Sequence, residues 1–216
     1  MKTHIRFATA GLFLLLGISL GITQCSEGAD MDESLAPGNA DLKSADQATS
    51  LTQSEIDAIR FMREEEKLAR YVYIHLYTLY QLRPFLNISK SEQAHMDAIG
   101  YLIGTFGLED PVADNPEGVF LNQELQELYD RLIEEGSASR EEALKTGALI
   151  EEVDIIDLQT ELDDTAKNEE LIRVFTNLRN ASERHLKAFV RVLELNGVDY
   201  EPVKLEQAEF DRILAD

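Results

Sequence analysis

The clearest structural signal in the chain is the segment at residues 52–80, TQSEIDAIRFMREEEKLARYVYIHLYTLY. It opens with Thr52 and Glu55, which stand three residues apart in the capping-box pattern that starts a helix. Apolar residues then recur with the 3.6-residue period of an amphipathic helix. The segment therefore predicts a long first helix that stops at Pro84.

Acidic residues within the predicted helices fall on different faces. At about 100° per residue, Glu66 lies in the middle of the apolar stripe of the first helix, Glu64 lies opposite and Glu65 lies to the side. Only Glu66 of these three is therefore expected in the interior. Glu152 and Asp157, on a later helix, are expected to face solvent.

The rest of the chain also has helical periodicity, and no stretch shows the alternation of a β-strand. Further helices are predicted at about Ser89–Gly107, Asn122–Glu135, Ser139–Leu162, Asn168–Gly197 and Leu205–Leu214. The second and third are separated by a long connection at residues 107–119, GLEDPVADNPEGV. We expect an all-α fold, a ferritin-like four-helix bundle with a short extra helix in the long crossover and a small C-terminal helix.

Each long helix carries a carboxylate or a histidine on its apolar face. Glu92 and His95 lie on the stripe of the second helix at i, i+3 spacing. Glu151 lies on the stripe of the fourth helix with Asp154 at its edge, and His185 lies on that of the last helix. Burying ionised carboxylates without partners costs several kcal/mol each, so something must compensate for them.

Divalent cations are the natural compensation, because two of them balance four carboxylates while two imidazoles stay neutral. The predicted metal ligands are Glu66, Glu92, His95, Glu151, Asp154 and His185. An oxygen-rich set with two imidazoles suits iron, or alternatively manganese, better than zinc. The competing interpretation is a metal-free carboxylate–histidine–arginine network that uses Arg63 or Arg70.

Five runs of the sequence resemble an uncharacterised ferritin-like family, a domain of unknown function found in archaea and bacteria. The runs are EEEKLARYVY, NISKSEQAHMDAIGYL, LQELYDRL, GALIEEVDIIDL and ERHLKAF. The resemblance extends from Gln53 to Leu214. Wider similarity to rubrerythrin-type proteins implies a dinuclear metal site with oxygen or peroxide chemistry.

The same resemblance implies roles for individual residues. Glu66 matches the ligand of the first helix, and Tyr73 matches a tyrosine beside the site, which makes Tyr73 the candidate for a catalytic role. The pattern departs at Ser182, where rubrerythrins have a glutamate three residues before His185. Asp154 could take that place, or the site could hold one metal ion or none.

The N-terminus has the pattern of an export signal. Lys2 and Arg6 precede an apolar stretch at residues 8–22 that is too short for a membrane span, and the sole cysteine, Cys25, follows. We expect a signal peptide at residues 1–25 with lipid attached to Cys25, although ordinary secretion with an incidental thiol is an alternative. A flexible linker at 26–50 and a ferritin-like domain at 51–216 would follow, placing the protein in the periplasm or cell envelope.

The net charge of the chain excludes some classes of binding partner. The chain has 20 Lys and Arg against 41 Asp and Glu, a formal net charge of −21. Such a surface repels nucleic acids and anionic lipids, so membrane contact is expected only through the lipid anchor. Without a cysteine pair for a rubredoxin-like centre, an enzyme would need a separate redox partner. A homodimer is among the open oligomeric states.

Three function classes are consistent with these observations. The first is an exported dinuclear metal protein that oxidises Fe(II) or reduces peroxide. The second is a metal-binding module without turnover, and the third is a structural or interaction lipoprotein without metal.

Overall fold

The structure is a computed structural model that describes residues 50–215 of the chain. Over this range the chain forms six helices and no β-strand, which confirms the all-α prediction. The helices are α1 (Gln53–Tyr80), α2 (Arg83–Thr105), α3 (Gln123–Gly136), α4 (Arg140–Asp164), α5 (Glu169–Leu195) and α6 (Gln207–Ala215). The predicted signal peptide, Cys25 and linker residues 26–49 lie outside the described residues, so the domain boundaries stay predictions.

Helix α1 begins at the predicted capping box. The Glu55 backbone N–H donates to the Thr52 hydroxyl at 3.2 Å, and the Thr52 N–H donates to the Glu55 carboxylate at 2.8 Å. Glu55 also accepts hydrogen bonds from the backbone N–H groups of Lys167 and Asn168 at 2.9 and 2.8 Å. One carboxylate therefore caps α1 and fastens the α4–α5 connection to it.

The predicted start of the second helix is wrong. Helix α2 begins at Arg83, six residues before Ser89, with Pro84 in its first turn. Backbone N–H groups in the first turn of a helix have no acceptor within that helix, so the missing N–H of proline costs nothing there. The fixed φ of proline also suits the first turn, and Pro84 therefore helps to open α2. Ser89 lies inside the helix, where its hydroxyl donates to the Leu86 carbonyl at 3.1 Å.

The predicted starts of α3, α4 and α5 are confirmed, whereas α6 begins at Gln207, two residues after the predicted Leu205. Asn122, Ser139 and Asn168 are the N-caps of α3, α4 and α5, and each side chain accepts a hydrogen bond from the first turn of its helix.

The four long helices pack in two pairs, α1 with α2 and α4 with α5, and α2–α5 and α1–α4 contacts join the pairs. Helix α3 lies against α1 and α4. This arrangement is compatible with a four-helix bundle that has an extra helix in its central connection. None of the helices between residues 50 and 215 has the length and apolar character needed to cross a bilayer.

The apolar core has two parts. One contains Val72, Phe85 and Phe189, and the other contains Ile59 and Phe175. On α1, α2 and α5, residues of the two clusters flank a segment with buried polar side chains. The polar layer therefore lies between two apolar ones.

Candidate metal centre

The polar layer contains all six predicted metal ligands. Five of them are less than 9% exposed, and the His185 side chain is 12% exposed. Helix α1 supplies Glu66, α2 supplies Glu92 and His95, α4 supplies Glu151 and Asp154, and α5 supplies His185.

Glu92 lies at the centre of the group. Its Oε2 is 2.7 Å from Nδ1 of His95, and its Oε1 is 3.0 Å from Nδ1 of His185. Each carboxylate oxygen therefore faces a different imidazole. The two rings stack, with centroids 5.6 Å apart and an interplanar angle of 25°.

A second carboxylate lies beside each imidazole. Glu66 Oε2 is 3.0 Å from Nδ1 of His95, and Glu151 Oε2 is 3.4 Å from Nδ1 of His185. The result is two triads, Glu66–Glu92–His95 and Glu92–Glu151–His185, each with ligand atoms within 4.8 Å of one another. The triads share Glu92.

Asp154 completes the group of buried acids. The Ser182 hydroxyl, fully buried on α5, donates a hydrogen bond to Asp154 Oδ2. The position at which the sequence departs from the rubrerythrin pattern is thus occupied by a serine that contacts the aspartate of α4. No oxygen of Asp154 belongs to either triad, so its part in binding a metal stays a prediction.

Tyr73 is fully buried next to the second triad. Its hydroxyl donates to Glu151 Oε1 at 2.5 Å and lies 3.4 Å from the Gly147 carbonyl. Its ring packs against Phe85 and Phe189, with centroids 6.0 and 5.4 Å away. Tyr73 can therefore hold Glu151 in position.

Ser91 also contacts the group, although it is not among the predicted site residues. Its Oγ lies 3.0 Å from Nε2 of His185 and 3.5 Å from Nε2 of His95. Ser91 precedes His95 by four residues and therefore lies on the same face of α2. This i, i+4 spacing could have linked Ser91 to His95 from the sequence alone. It gives no information about the contact between Ser91 and His185 of α5.

The expectation that only Glu66 of its acidic triplet is buried is wrong, because Glu64 and Glu65 are each 4% exposed. Glu64 accepts hydrogen bonds from the N–H groups of Leu121 and Asn122 at 2.5 and 3.0 Å. Glu65 shares a hydrogen bond with Asp157. A helical wheel of α1 alone assigns Glu64 and Glu65 to solvent. In the structure, the segment before α3 covers Glu64, and α4 covers Glu65.

Glu152 is also buried, contrary to the prediction. It is 0% exposed and accepts hydrogen bonds from the Tyr200 hydroxyl at 2.6 Å and from three consecutive backbone N–H groups. These donors are Val203, Lys204 and Leu205. Glu152 therefore anchors the segment before α6 and takes no part in the metal site.

The arginines of the metal-free alternative have other partners. Arg63 pairs with Asp110 at 2.8 Å and donates to the Met96 carbonyl. The Arg70 guanidinium lies 4.8 Å from the centroid of the Tyr71 ring. Among residues 50–215, no hydrogen bond or ion pair joins either arginine to the carboxylate–histidine group.

The carboxylates strongly favour the protonated histidines. Burial alone would lower the pKa of His95, but Glu66 and Glu92 raise it to about 12. Burial also opposes the charge on His185, while Glu151 and Glu92 raise its pKa to about 10. The interaction with both histidines lowers the pKa of Glu92, against the effect of its burial.

The pKa values of the remaining acids of the group are shifted upward. Burial and the charge of Asp154 raise the pKa of Glu66 well above its usual value, and burial raises that of Glu151. Burial and the charge of Glu151 raise the pKa of Asp154 to about 7, although the Ser182 hydrogen bond acts in the opposite direction.

The donor set fits a pair of divalent ions. Glu66 Oε1 and Asp154 Oδ1 are buried oxygens with no hydrogen-bond partner among the described residues. Leaving a buried acceptor unsatisfied costs about 1–3 kcal/mol, more for a charged group, whereas a bound cation would satisfy it. Two divalent ions would balance the four carboxylates and leave both imidazoles neutral, which is the form that binds metals.

Comparison with known proteins places the chain among relatives whose names give no activity. Residues 55–216 match the family described as "Uncharacterized protein domain (DUF2202)". The chain is 42% identical over 165 residues to the "Uncharacterized protein MJ0754" of Methanocaldococcus jannaschii, an alignment that covers 76% of this chain and 89% of the relative.

The fold has a counterpart among solved structures. The crystal structure of the hypothetical protein MJ0754 from Methanococcus jannaschii superposes with a TM-score of 0.75 at 41% identity. The superposition covers 77% of this chain and 95% of the other.

Proposed function

The chain belongs to the DUF2202 family, and we propose that it holds two divalent metal ions, iron in first place and manganese as the alternative, and that it oxidises Fe(II) or reduces peroxide. The observation that carries the proposal is the position of Glu92, with one carboxylate oxygen toward each of two imidazoles. A shared carboxylate between two ligand triads is the arrangement that a dinuclear site needs.

Glu66, Glu92 and His95 would hold one ion, and Glu92, Glu151 and His185 would hold the other. Asp154 supplies a further carboxylate beside them. Carboxylates and imidazoles together suit iron and manganese. Two bound iron ions would supply the electrons that reduce oxygen or peroxide.

The chain's own residues keep the site ordered and dry. The two apolar clusters exclude bulk water from either side of the polar layer. Tyr73 holds Glu151 through a buried hydrogen bond, and Ser182 holds Asp154. A metal site needs this kind of support around its ligands, since their orientation sets affinity.

A ferritin-like fold is part of the proposal. Its support is the order of the helices, with two packed pairs and a connection between α2 and α4 that contains α3. Bundles of this kind build metal sites from residues that project inward from all four long helices. Similarity to rubrerythrin-type proteins belongs to the same proposal.

We further propose that the protein works outside the cytoplasm, anchored by lipid at Cys25, in the periplasm or cell envelope. The sequence has no second cysteine with which to build its own thiolate metal centre. Electrons would therefore come from a separate redox partner or from Fe(II) itself. The net charge of −21 disfavours nucleic acid as a partner.

One observation favours a metal-free structural role. Both histidines have raised pKa values, so two imidazolium groups could offset part of the carboxylate charge. A metal-binding module without turnover is the intermediate case. The following experiment distinguishes all three.

Stopped-flow mixing of Fe(II) with the purified full chain, in the presence of oxygen or peroxide, tests turnover. We expect Fe(II) oxidation faster than the rate without protein, and Glu92→Gln should abolish the acceleration because both triads lose their shared ligand. Glu194→Gln is the matched control, since Glu194 is an exposed residue of α5. Metal binding without acceleration would leave the non-catalytic module, and neither binding nor acceleration would leave the structural role.

A further inference from the structure

We propose that Ser91 is a positioning residue that holds both candidate metal-binding histidines in one tautomer, by accepting a hydrogen bond from Nε2–H of each ring. The inference rests on the proposed metal site. It assigns a role to a residue that the family comparison does not identify and that was not among the predicted ligands.

The geometry around Ser91 mirrors that around Glu92. The Nδ1 atoms of His95 and His185 face the two oxygens of Glu92, at 2.7 and 3.0 Å. Their Nε2 atoms lie 3.5 and 3.0 Å from the single Ser91 oxygen. Adjacent residues of α2 therefore contact opposite edges of the same two stacked rings.

The chemistry of imidazole gives this placement a consequence. A neutral ring has one N–H and one nitrogen lone pair, and only the lone pair can bind a metal ion. If Nδ1 binds metal on the Glu92 side, the proton must be on Nε2. A serine oxygen has two lone pairs, so Ser91 can accept a hydrogen bond from both Nε2–H groups and favour this tautomer in both rings.

Ser91 would therefore act on both metal positions together. Among the candidate metal ligands, Tyr73 donates a hydrogen bond to Glu151 alone, so its influence is confined to one triad. Ser91 is a half-buried residue of α2 that contacts His185 of α5. Its loss would allow both imidazoles to rotate or to change tautomer.

The test is a titration of the full chain with Zn²⁺ alone, as a diamagnetic probe, against a competing chelator. Ser91→Ala should weaken both binding steps by roughly 10- to 100-fold, the usual effect of removing a hydrogen-bond partner of a ligand. Ser91→Thr, which keeps the hydroxyl, should restore affinity to within about threefold of wild type on that scale. Ser89→Ala is the matched control, because Ser89 lies on the same helix with its hydroxyl on the Leu86 carbonyl.

A second readout separates positioning from a general loss of stability. In ¹⁵N NMR spectra of the zinc-loaded protein, both histidines should give Nε2–H signals that exchange slowly with water. In Ser91→Ala these signals should broaden or disappear. A purely structural role would lower stability in Ser91→Ala without changing the histidine signals.

Each outcome has a defined meaning. A wild-type chain that binds no Zn²⁺ overturns the metal site and the role of Ser91 with it. Wild-type binding that Ser91→Ala leaves unchanged, or weakens at one step only, overturns the role of Ser91 alone. Weaker binding at both steps, with rescue by threonine, supports it.

Discussion

The Tyr73 hydroxyl donates a hydrogen bond to Glu151 in a part of the bundle where neither group reaches water. We expect Tyr73→Phe to weaken one metal-binding step and to leave the other unchanged, because only the triad with Glu151 loses a contact. The loss of a buried hydrogen bond should also destabilise the metal-free chain by about 1–3 kcal/mol. Metal titration and urea denaturation measure the two effects.

Tyr77→Phe is the matched control for that substitution, since Tyr77 lies one turn further along α1 and packs against the apolar core. It should leave both binding steps as in wild type. Equal weakening of both steps in Tyr73→Phe would contradict the assignment of Tyr73 to one triad.

The metal-ligand candidates could be predicted because each lies on the apolar face of its own helix, and one helical wheel is enough to find them. The other buried acids could not. Glu64 and Glu152 are buried because they accept hydrogen bonds from backbone N–H groups at Leu121 and Val203, more than 50 residues away. Such partners depend on where loops cross the bundle, which periodicity does not encode.

Close approach of α4 and α5 depends on the absence of a side chain at Gly147. A Cβ atom there would lie 2.5 to 2.8 Å from atoms of the Phe189 ring. We expect Gly147→Ala to destabilise the fold by about 1–3 kcal/mol, since the overpacking exceeds the gain of about 1 kcal/mol in helix propensity. Urea denaturation of the metal-free protein measures the change.

Gly104→Ala provides the comparison, because a Cβ atom at Gly104 on α2 meets no atom within 4 Å. That variant should be as stable as wild type or slightly more stable. Equal stability changes in the two variants would show that the α4–α5 contact does not require glycine.

Glu55, which caps α1 and accepts hydrogen bonds from the α4–α5 connection, gives a pH-dependent prediction. Burial would raise the pKa of Glu55, but hydrogen bonds from Thr52, Lys167 and Asn168 lower it below its usual value of 4.5. The ionised form therefore stabilises the fold at neutral pH, and this contribution is lost as the pH falls below 4.5. Glu55→Gln should cost about 1–3 kcal/mol at pH 7, with the difference from wild type shrinking in acid.

Denaturation of wild type and Glu55→Gln at pH 7 and at several values below 4.5 measures that difference. Glu142→Gln, at a half-exposed acid in the first turn of α4, controls for the general effect of removing a carboxylate. If the difference in unfolding free energy between wild type and Glu55→Gln stays constant with pH, the ionised Glu55 carboxylate does not stabilise the fold in this way.

Helix starts with a polar cap were predictable, because the capping side chain and its partner are three residues apart or closer. The start of α2 was not, since Leu82 at its N-cap makes no side-chain hydrogen bond and a proline in sequence also indicates a helix end. A proline restricts the residues on its two sides differently, so it can end one helix or begin the next. Here α1 has already ended, with Gln81 in the left-handed region at φ 55°.

The whole molecule carries an excess of negative charge, and its interior carries carboxylates that repel one another. Metal ions that bind only the folded chain should therefore stabilise it, by about 2.7 kcal/mol for each site at a free metal concentration one hundred times the Kd. We expect addition of Mn²⁺ or Fe²⁺ to raise Tm by at least several degrees and EDTA to reverse the change. Calorimetry of wild type and Glu92→Gln measures it, and an equal shift in both proteins would place the ions elsewhere.

Elemental analysis of the full chain, purified without chelators, shows whether the carboxylate–histidine group holds metal. We expect about two transition-metal ions per wild-type chain, with iron predominant, and their loss in Glu92→Gln. A wild-type chain that retains no more metal than Glu92→Gln would contradict it, and the carboxylates and histidines would then be a proton-neutralised structural network.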